Sequence, residues 1–230
     1  NNGSARVREI IQDDDGIIWF GTETEGLFRL DPCSGKIESI PLPQSTSKNV
    51  IGLLAEKNTI RLGTYSSSTP VLSLDRKSLS VCFHREIGTN CSKICKDGSG
   101  GIWASCSEGI RYKGKDDKKF TTVKLQNDAK FVNVVSDYTD SSVWISSHYS
   151  YIFHKKGDKL TTYTASNGNL PSSSITNILC DSSNRIWATA EGTGILRYDR
   201  SSDSFTRYFG KEEGETFLCR GRYEQECSHG

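Results

Sequence analysis

The residue types that most often carry chemistry are present in this chain of 230 residues, but their spacing matches no catalytic motif. The four histidines, His84, His148, His154 and His229, form no His-x-x-x-His pair, and none stands in a nucleophile-elbow frame. The glycine-rich segment 98–101 is not followed by the lysine that a phosphate-binding loop requires. No catalytic residue is therefore predicted, and the chain is not expected to be an enzyme.

Acidic residues and cysteines also point to structure rather than to metal binding. The Asp-Asp-Asp-Gly run at 13–16 is like the start of a calcium loop, but the terminal Glu of an EF-hand is absent at the required distance. These residue types favour a hairpin turn. Cys91 and Cys95 have no second pair of ligands nearby, so buried thiols are the simpler interpretation of the eight cysteines. One or two disulfides stay open, with Cys219 and Cys227 the closest late pair, and neither metal nor cofactor is predicted.

Composition excludes several broad classes. Lysine plus arginine number 29 against 28 acidic residues, a formal net charge of +1, which argues against binding nucleic acid through bulk positive charge. No apolar run approaches the roughly 20 residues that span a bilayer. Membrane contact is therefore expected only through segments outside this chain. The sequence contains no Met, so we expect it to be an excised piece.

The tryptophans reveal the elements that would have to position any site. Trp19, Trp103, Trp144 and Trp187 stand in one repeated frame, and Arg61 occupies the same place in a fifth copy. The steps between these positions are 42, 42, 41 and 43 residues. Each unit contains four short apolar stretches separated by turn-forming residues, which is typical of a β-propeller blade. The sequence predicts an all-β propeller of four-stranded antiparallel blades.

The period also predicts blade boundaries and packing roles. A single domain over 1–230 is expected, with blades at about 7–42, 49–84, 91–124, 130–164 and 172–209 and a tail or partial blade at 210–230. The tryptophans are expected at equivalent buried positions between blades, so that Trp187→Ala would cost about 3–5 kcal/mol. Arg61 is expected to reach the rim or pair with an acid, because a buried unpaired charge is costly. The first strands are expected to place four residues in the inner part of the blades: Ile10, Ile94, Val135 and Ile178.

The first copy of the frame resembles the two-component-regulator propeller repeat family. The matching residues are Ile10, Asp13, Gly16, Ile18, Trp19, Gly21, Thr22, Gly26, Leu27, Arg29 and Asp31. The resemblance implies the extracytoplasmic, periplasmic sensor domain of a Bacteroides-type hybrid two-component system, with a histidine kinase elsewhere in the full protein. It further implies that the ligand is a glycan or oligosaccharide and that these five blades are an incomplete piece of a larger propeller.

Ligand-binding residues are expected on the loops that join the second and third strands of each blade. Strand order places these loops on one face, and their composition varies while the framework repeats. They carry aromatic and polar side chains suited to a sugar: Tyr65, Glu108, His148, Tyr149 and Glu191. The fourth blade lacks the Gly that ends this loop in the first, third and fifth blades, which makes His148 and Tyr149 the strongest pair.

Other functions stay open at this point. The partner could be a periplasmic protein rather than an oligosaccharide, and a homodimer is compatible with the sequence. A propeller lyase of the streptogramin-lyase type has a similar tryptophan strand, but it would need a histidine general acid or base near the axis. Only His148 falls in a loop of the appropriate face, which tells against the lyase. A protein-interaction scaffold is the remaining alternative.

Overall fold

A computed structural model describes residues 6–87, 90–125, 132–147 and 151–209. It contains five four-stranded antiparallel sheets, each a meander in chain order, and one short 3₁₀ helix at Arg85–Ile87. The predicted all-β propeller architecture is thereby confirmed. The strands of the first three sheets are β1 (Val7–Gln12), β2 (Ile18–Thr22), β3 (Leu27–Leu30), β4 (Ile37–Ile40), β5 (Val50–Ala55), β6 (Thr59–Thr64), β7 (Val71–Asp75), β8 (Val81–Phe83), β9 (Cys91–Lys96), β10 (Ile102–Cys106), β11 (Gly109–Lys113) and β12 (Thr121–Val123). Those of the last two are β13 (Val132–Asp137), β14 (Ser142–Ser147), β15 (Ile152–Lys156), β16 (Lys159–Tyr163), β17 (Ile175–Cys180), β18 (Ile186–Ala190), β19 (Gly194–Asp199) and β20 (Ser204–Phe209).

The sheets are arranged side by side, with their first strands in series. Strand β1 contacts β5, β5 contacts β9, β9 contacts β13, and β13 contacts β17. Small residues on the second strands permit this close approach. A Cβ on Gly21 would lie 2.6 Å from the carbonyl oxygen of Val50, and one on Gly63 would lie 2.3 Å from that of Cys91. Glycine is therefore required where the next sheet begins.

The tryptophan of each frame is fixed by the aspartate of the preceding turn. Its indole N–H donates to an aspartate Oδ2 at 2.7 Å from Trp19, 2.8 Å from Trp103, 3.4 Å from Trp144 and 2.9 Å from Trp187. In the first, third and fifth sheets, the other oxygen of the same carboxylate accepts two backbone N–H groups of the turn. One carboxylate thus closes the hairpin and orients the packing residue. The participating aspartates are Asp13, Asp97, Asp137 and Asp181.

Arg61 replaces this arrangement in the second sheet. Its Nε donates to Oε2 of Glu56 at 2.5 Å, and its Nη1 donates to the Ser73 hydroxyl at 3.0 Å. Both charged side chains are 16% exposed. The expected pairing with an acid is therefore present, and an ion pair occupies the place of the Asp–Trp pair.

The two outermost sheets expose faces that the interior sheets bury. Ile10 is 64% exposed, whereas Ile94 and Ile178, which hold the same register, are 2% and 3% exposed. The expectation that Ile10 lies inside was wrong, because no sheet of the described residues packs against its face of the first sheet. Val135 is partly buried, but it pairs with Trp144 and so lies one residue away from the position that Ile10, Ile94 and Ile178 share.

The fifth sheet shows the same effect on its opposite face. Trp19, Trp103 and Trp144 are at most 5% exposed, but Trp187 is only half-buried. Leu179, beside it on β17, is 46% exposed. The expected full burial of Trp187 was therefore wrong, because no sheet in the described part of the chain covers this face of the fifth sheet. Two bare sheet faces are consistent with an incomplete propeller.

Candidate functional site

The loops between second and third strands open on one face of the arc, here called the loop face. In four of the sheets, the first residue of this loop donates its backbone N–H to the carbonyl of the residue that directly precedes the first strand of the same sheet. Glu23 bonds to Arg6, Tyr65 to Asn49, Ser107 to Asn90 and Glu191 to Ser174, at 2.9–3.1 Å. The ends of these loops therefore lie beside the connections between sheets.

Three of the five predicted ligand residues lie on the described part of the loop face. Tyr65 is 62% exposed, and Glu191 is also exposed. Within the described ranges, neither the Tyr65 hydroxyl nor the Glu191 carboxylate has a hydrogen-bond partner. Glu108 is 57% exposed and forms an ion pair with Arg111 at 3.2 Å. His148 and Tyr149 lie outside the described residues.

A charged pair bridges nonadjacent sheets near the axis. The Lys93 ammonium on β9 donates to Glu9 on β1, and their side chains are 29% and 17% exposed. Gly52 holds the equivalent register on the intervening β5, so no side chain separates them. Sequence reasoning missed this pair. The sequence does contain a sign of it, because the equivalent position of two other first strands is also polar, namely Asn133 and Asn177.

A groove of about 590 Å³ opens between the first two sheets, on the face opposite the loop face. Most of its charged groups are already paired. Arg76 contacts both Asp13 and Asp15 at 2.6 Å, and Glu38 accepts from Arg29 and Lys36 at 2.6 Å each. These pairs connect neighbouring turns and strands of the framework. Arg76 thus links the second sheet to a turn of the first, whereas the pairs of Glu38 lie within the first sheet.

An aromatic and polar cluster joins the fourth and fifth sheets. His154 stacks on Trp144 with 4.0 Å between ring centroids, and its Nε2 lies 2.8 Å from the Ser142 hydroxyl. The hydroxyls of Tyr163 and Tyr198 both donate to Oδ1 of Asp203, at 2.5 and 2.6 Å. Burial and the bond to Asp203 raise the pKa of Tyr198 to about 12. Both phenols therefore stay neutral and donate to one carboxylate. We interpret the cluster as stabilising the contact between the two sheets.

The histidine of this cluster makes stability depend on pH. Burial lowers the pKa of His154, while nearby carboxylates oppose that effect. The folded state therefore prefers neutral imidazole. This contribution is present above the unfolded pKa of about 6.5 and is lost as the pH falls through it toward the folded value. We expect His154→Phe to reduce the loss of melting temperature between pH 7.5 and 5.5. Melting curves of both proteins that shift in parallel would show that His154 does not titrate in this way.

Two negative observations apply to the described residues. They contain no group of three or more His, Cys, Asp or Glu side chains placed to hold a metal ion. They also contain no helix long and apolar enough to cross a membrane.

The first copy of the repeat matches a known family of repeats. Residues 3–24 match the family model of the two component regulator propeller. The first copy is a two-component-regulator propeller repeat. This confirms the resemblance predicted from the repeat frame. Among curated proteins, none matches the sequence.

Several solved structures share the propeller fold. The extracellular domain of a hybrid two-component system from B. thetaiotaomicron is 17% identical with a TM-score of 0.69, and the match covers 88% of this chain and 30% of that one. Virginiamycin B lyase from Staphylococcus aureus is 18% identical with a TM-score of 0.71, covering 89% and 70%. A chain of the nidogen/laminin complex is 11% identical with a TM-score of 0.70, covering 90% and 81%. At these identities the likeness shows the fold alone, and this chain spans about a third of the two-component domain.

Proposed function

We propose that this chain is part of an extracytoplasmic sensor propeller of a two-component system, which binds an oligosaccharide on its loop face and performs no chemistry itself. The periplasm is its proposed location. The repeat family and the fold shared with an extracellular two-component domain support the sensor role. A histidine kinase elsewhere in the full protein and signalling through a homodimer belong to the same proposal.

The unpaired groups of the loop face carry the proposal. Tyr65 presents an exposed ring, and Glu191 presents an exposed carboxylate that has no partner among the residues that the structure describes. An aromatic ring can stack on the C–H face of a sugar, and a carboxylate can accept hydrogen bonds from its hydroxyls. The opposite groove offers less to a ligand, because its cations and carboxylates largely neutralise each other.

A lyase is the second candidate because virginiamycin B lyase shares the fold. A variant of that enzyme with one histidine replaced by alanine is catalytically inactive. The two histidines in the described part of this chain lie away from the first strands. His84 follows the outermost strand β8 and contacts Ser73, whereas His154 on β15 packs against Trp144. Their placement does not support a catalytic role for these two histidines, and His148 lies outside the described residues.

Binding is tested by thermal shift and calorimetry against neutral, uronic-acid-containing and sulfated oligosaccharides. A ligand at 100 times its Kd adds about 2.7 kcal/mol of stability to the native state. We expect at least one class to raise the melting temperature, and we expect the double variant His148→Ala, Tyr149→Ala to weaken that effect with little change in the unliganded melting temperature. Tyr65→Ala and Glu191→Gln test the described part of the face in the same way.

Lys57→Gln and Lys77→Gln provide matched controls, because both lysines are exposed at the opposite groove. They should leave the ligand-induced shift unchanged. Full affinity in the loop-face variants together with loss of affinity in the lysine variants would contradict the proposed site. Turnover of an oligosaccharide or a cyclic peptide antibiotic by the protein would contradict the non-catalytic role.

A further inference from the structure

Two buried cysteines face each other across the third sheet. Cys91 begins β9 and Cys106 ends β10, and the two are register partners in the antiparallel pair. They are 0% and 2% exposed, and both lie in the apolar cluster that contains Val71 and Ile87. Directly opposite residues project to the same side of a sheet, so their side chains meet.

The hydrogen-bond pattern gives the type of pairing at this position. The Ser107 N–H donates to the Asn90 carbonyl at 3.1 Å, which makes the neighbouring 90/107 position hydrogen-bonded. Cys91 and Cys106 therefore form a non-hydrogen-bonded pair, next to an irregularity where the register shifts between Ser105 and Cys106. In a regular antiparallel ladder the Cα atoms of such a pair are separated by about 4.5 Å. Disulfides span Cα separations of about 4.4–6.8 Å. Both thiols are free in this structure, and this type of strand pairing is compatible with a bridge between them.

The thiols also have a local environment that favours the neutral form. Burial, together with a hydrogen bond to the Cys106 thiol, raises the pKa of Cys91 well above its usual value. A neutral, buried thiol attacks a disulfide slowly. Oxidation is therefore expected while the chain folds, before the second and third sheets pack together.

We propose that Cys91 and Cys106 form a structural disulfide. Two thiols lose two protons and two electrons to form the S–S bond, and a small-molecule disulfide such as oxidised glutathione accepts them and becomes two thiols. The proposed periplasmic location supplies an oxidising environment, and to that extent the inference rests on the proposed function. The bridge would join the two strand ends immediately below Ser107 and Glu108, and so fix the base of one loop of the loop face.

The bond is tested by refolding the chain from urea with oxidised glutathione, followed by alkylation in denaturant and peptide mass spectrometry without reductant. We expect a cross-linked peptide pair that contains Cys91 and Cys106, with Cys33, Cys82, Cys95 and Cys180 alkylated. Because the test supplies its own oxidant, failure to form the bond is distinguishable from an incorrect location or ligand. Free thiols at both positions, or bridges of either cysteine to another, would overturn the proposal.

Melting temperature provides the second readout. The chain refolded with dithiothreitol should melt about 6–12 °C below the chain refolded with oxidised glutathione, because the bridge closes a loop of about 15 residues. The same treatment should leave Cys106→Ala unchanged. Cys82→Ala is the matched control, since Cys82 is exposed and should retain the full response to reduction. An equal response to reduction in Cys106→Ala and in the unsubstituted chain would overturn the assignment.

Discussion

Trp144→Ala is expected to lower the free energy of unfolding by about 3–5 kcal/mol, as removal of a large core side chain does. Trp144 is fully buried and contacts four rings of its own and the next sheet: His154, Tyr163, Tyr198 and Phe205. The substitution leaves a cavity between the fourth and fifth sheets. Urea denaturation followed by circular dichroism measures the loss.

Trp187→Ala is the matched control for this prediction. Trp187 holds the equivalent register but is half-buried, and its main aromatic contact is with the exposed Tyr208. Its replacement should cost roughly 1–2 kcal/mol, less than the full burial expected from sequence would imply. If the two variants lost equal free energies of unfolding, burial between sheets would not be what determines how much the tryptophan stabilises the fold.

Asp13→Ala is expected to cost about 3–5 kcal/mol, because it breaks a buried ion pair and leaves the Trp19 indole and two backbone N–H groups without their acceptor. The Asp13 side chain is 1% exposed and accepts from Trp19 and from two backbone N–H groups of the turn. Arg76, which is 11% exposed, loses its buried partner in this variant. Chemical denaturation of the variant measures the loss.

The second carboxylate on Arg76 supplies the control. Asp15 lies at the same 2.6 Å from the guanidinium, but its side chain is 75% exposed. Exposed ion pairs contribute about 0–1 kcal/mol, so Asp15→Ala should have a small effect. A large loss for Asp15→Ala, or a loss below about 1 kcal/mol for Asp13→Ala, would contradict the assigned role of the turn carboxylate.

Sequence periodicity was sufficient to predict the sheets, because each one repeats the same strand and turn signals. The sequence also predicted that Arg61 would either reach the rim or pair with an acid, because a buried charge without a partner is costly in any fold. The indole–carboxylate bonds were accessible in principle, because an aspartate stands six or seven residues before each tryptophan. The sequence predicted the aspartate-containing turn and the packing role of the tryptophan separately, but it did not predict the hydrogen bond between the two side chains.

The errors arose where burial depends on neighbouring sheets. Ile10 and Ile94 occupy the same position in the repeat, and no local pattern tells that one face is covered and the other bare. The Glu9–Lys93 pair depends on the curvature of the arc, which brings together residues 84 positions apart. For the candidate site, strand order was sufficient to place Tyr65, Glu108 and Glu191 on one face. Their binding role depends on a ligand that the repeat frame does not encode.

The proposed sensor role requires that a ligand binds to the loop face. Hydrogen exchange with mass spectrometry measures this binding directly, using the oligosaccharide that gives the largest thermal shift in the panel. We expect slower exchange in the loops at 65–70, 107–108, 148–151 and 191–193, with no change in the hairpin turns at 13–17, 31–36 and 75–80. Protection confined to those hairpin turns, or the absence of a thermal shift with every oligosaccharide, would contradict binding at the loop face.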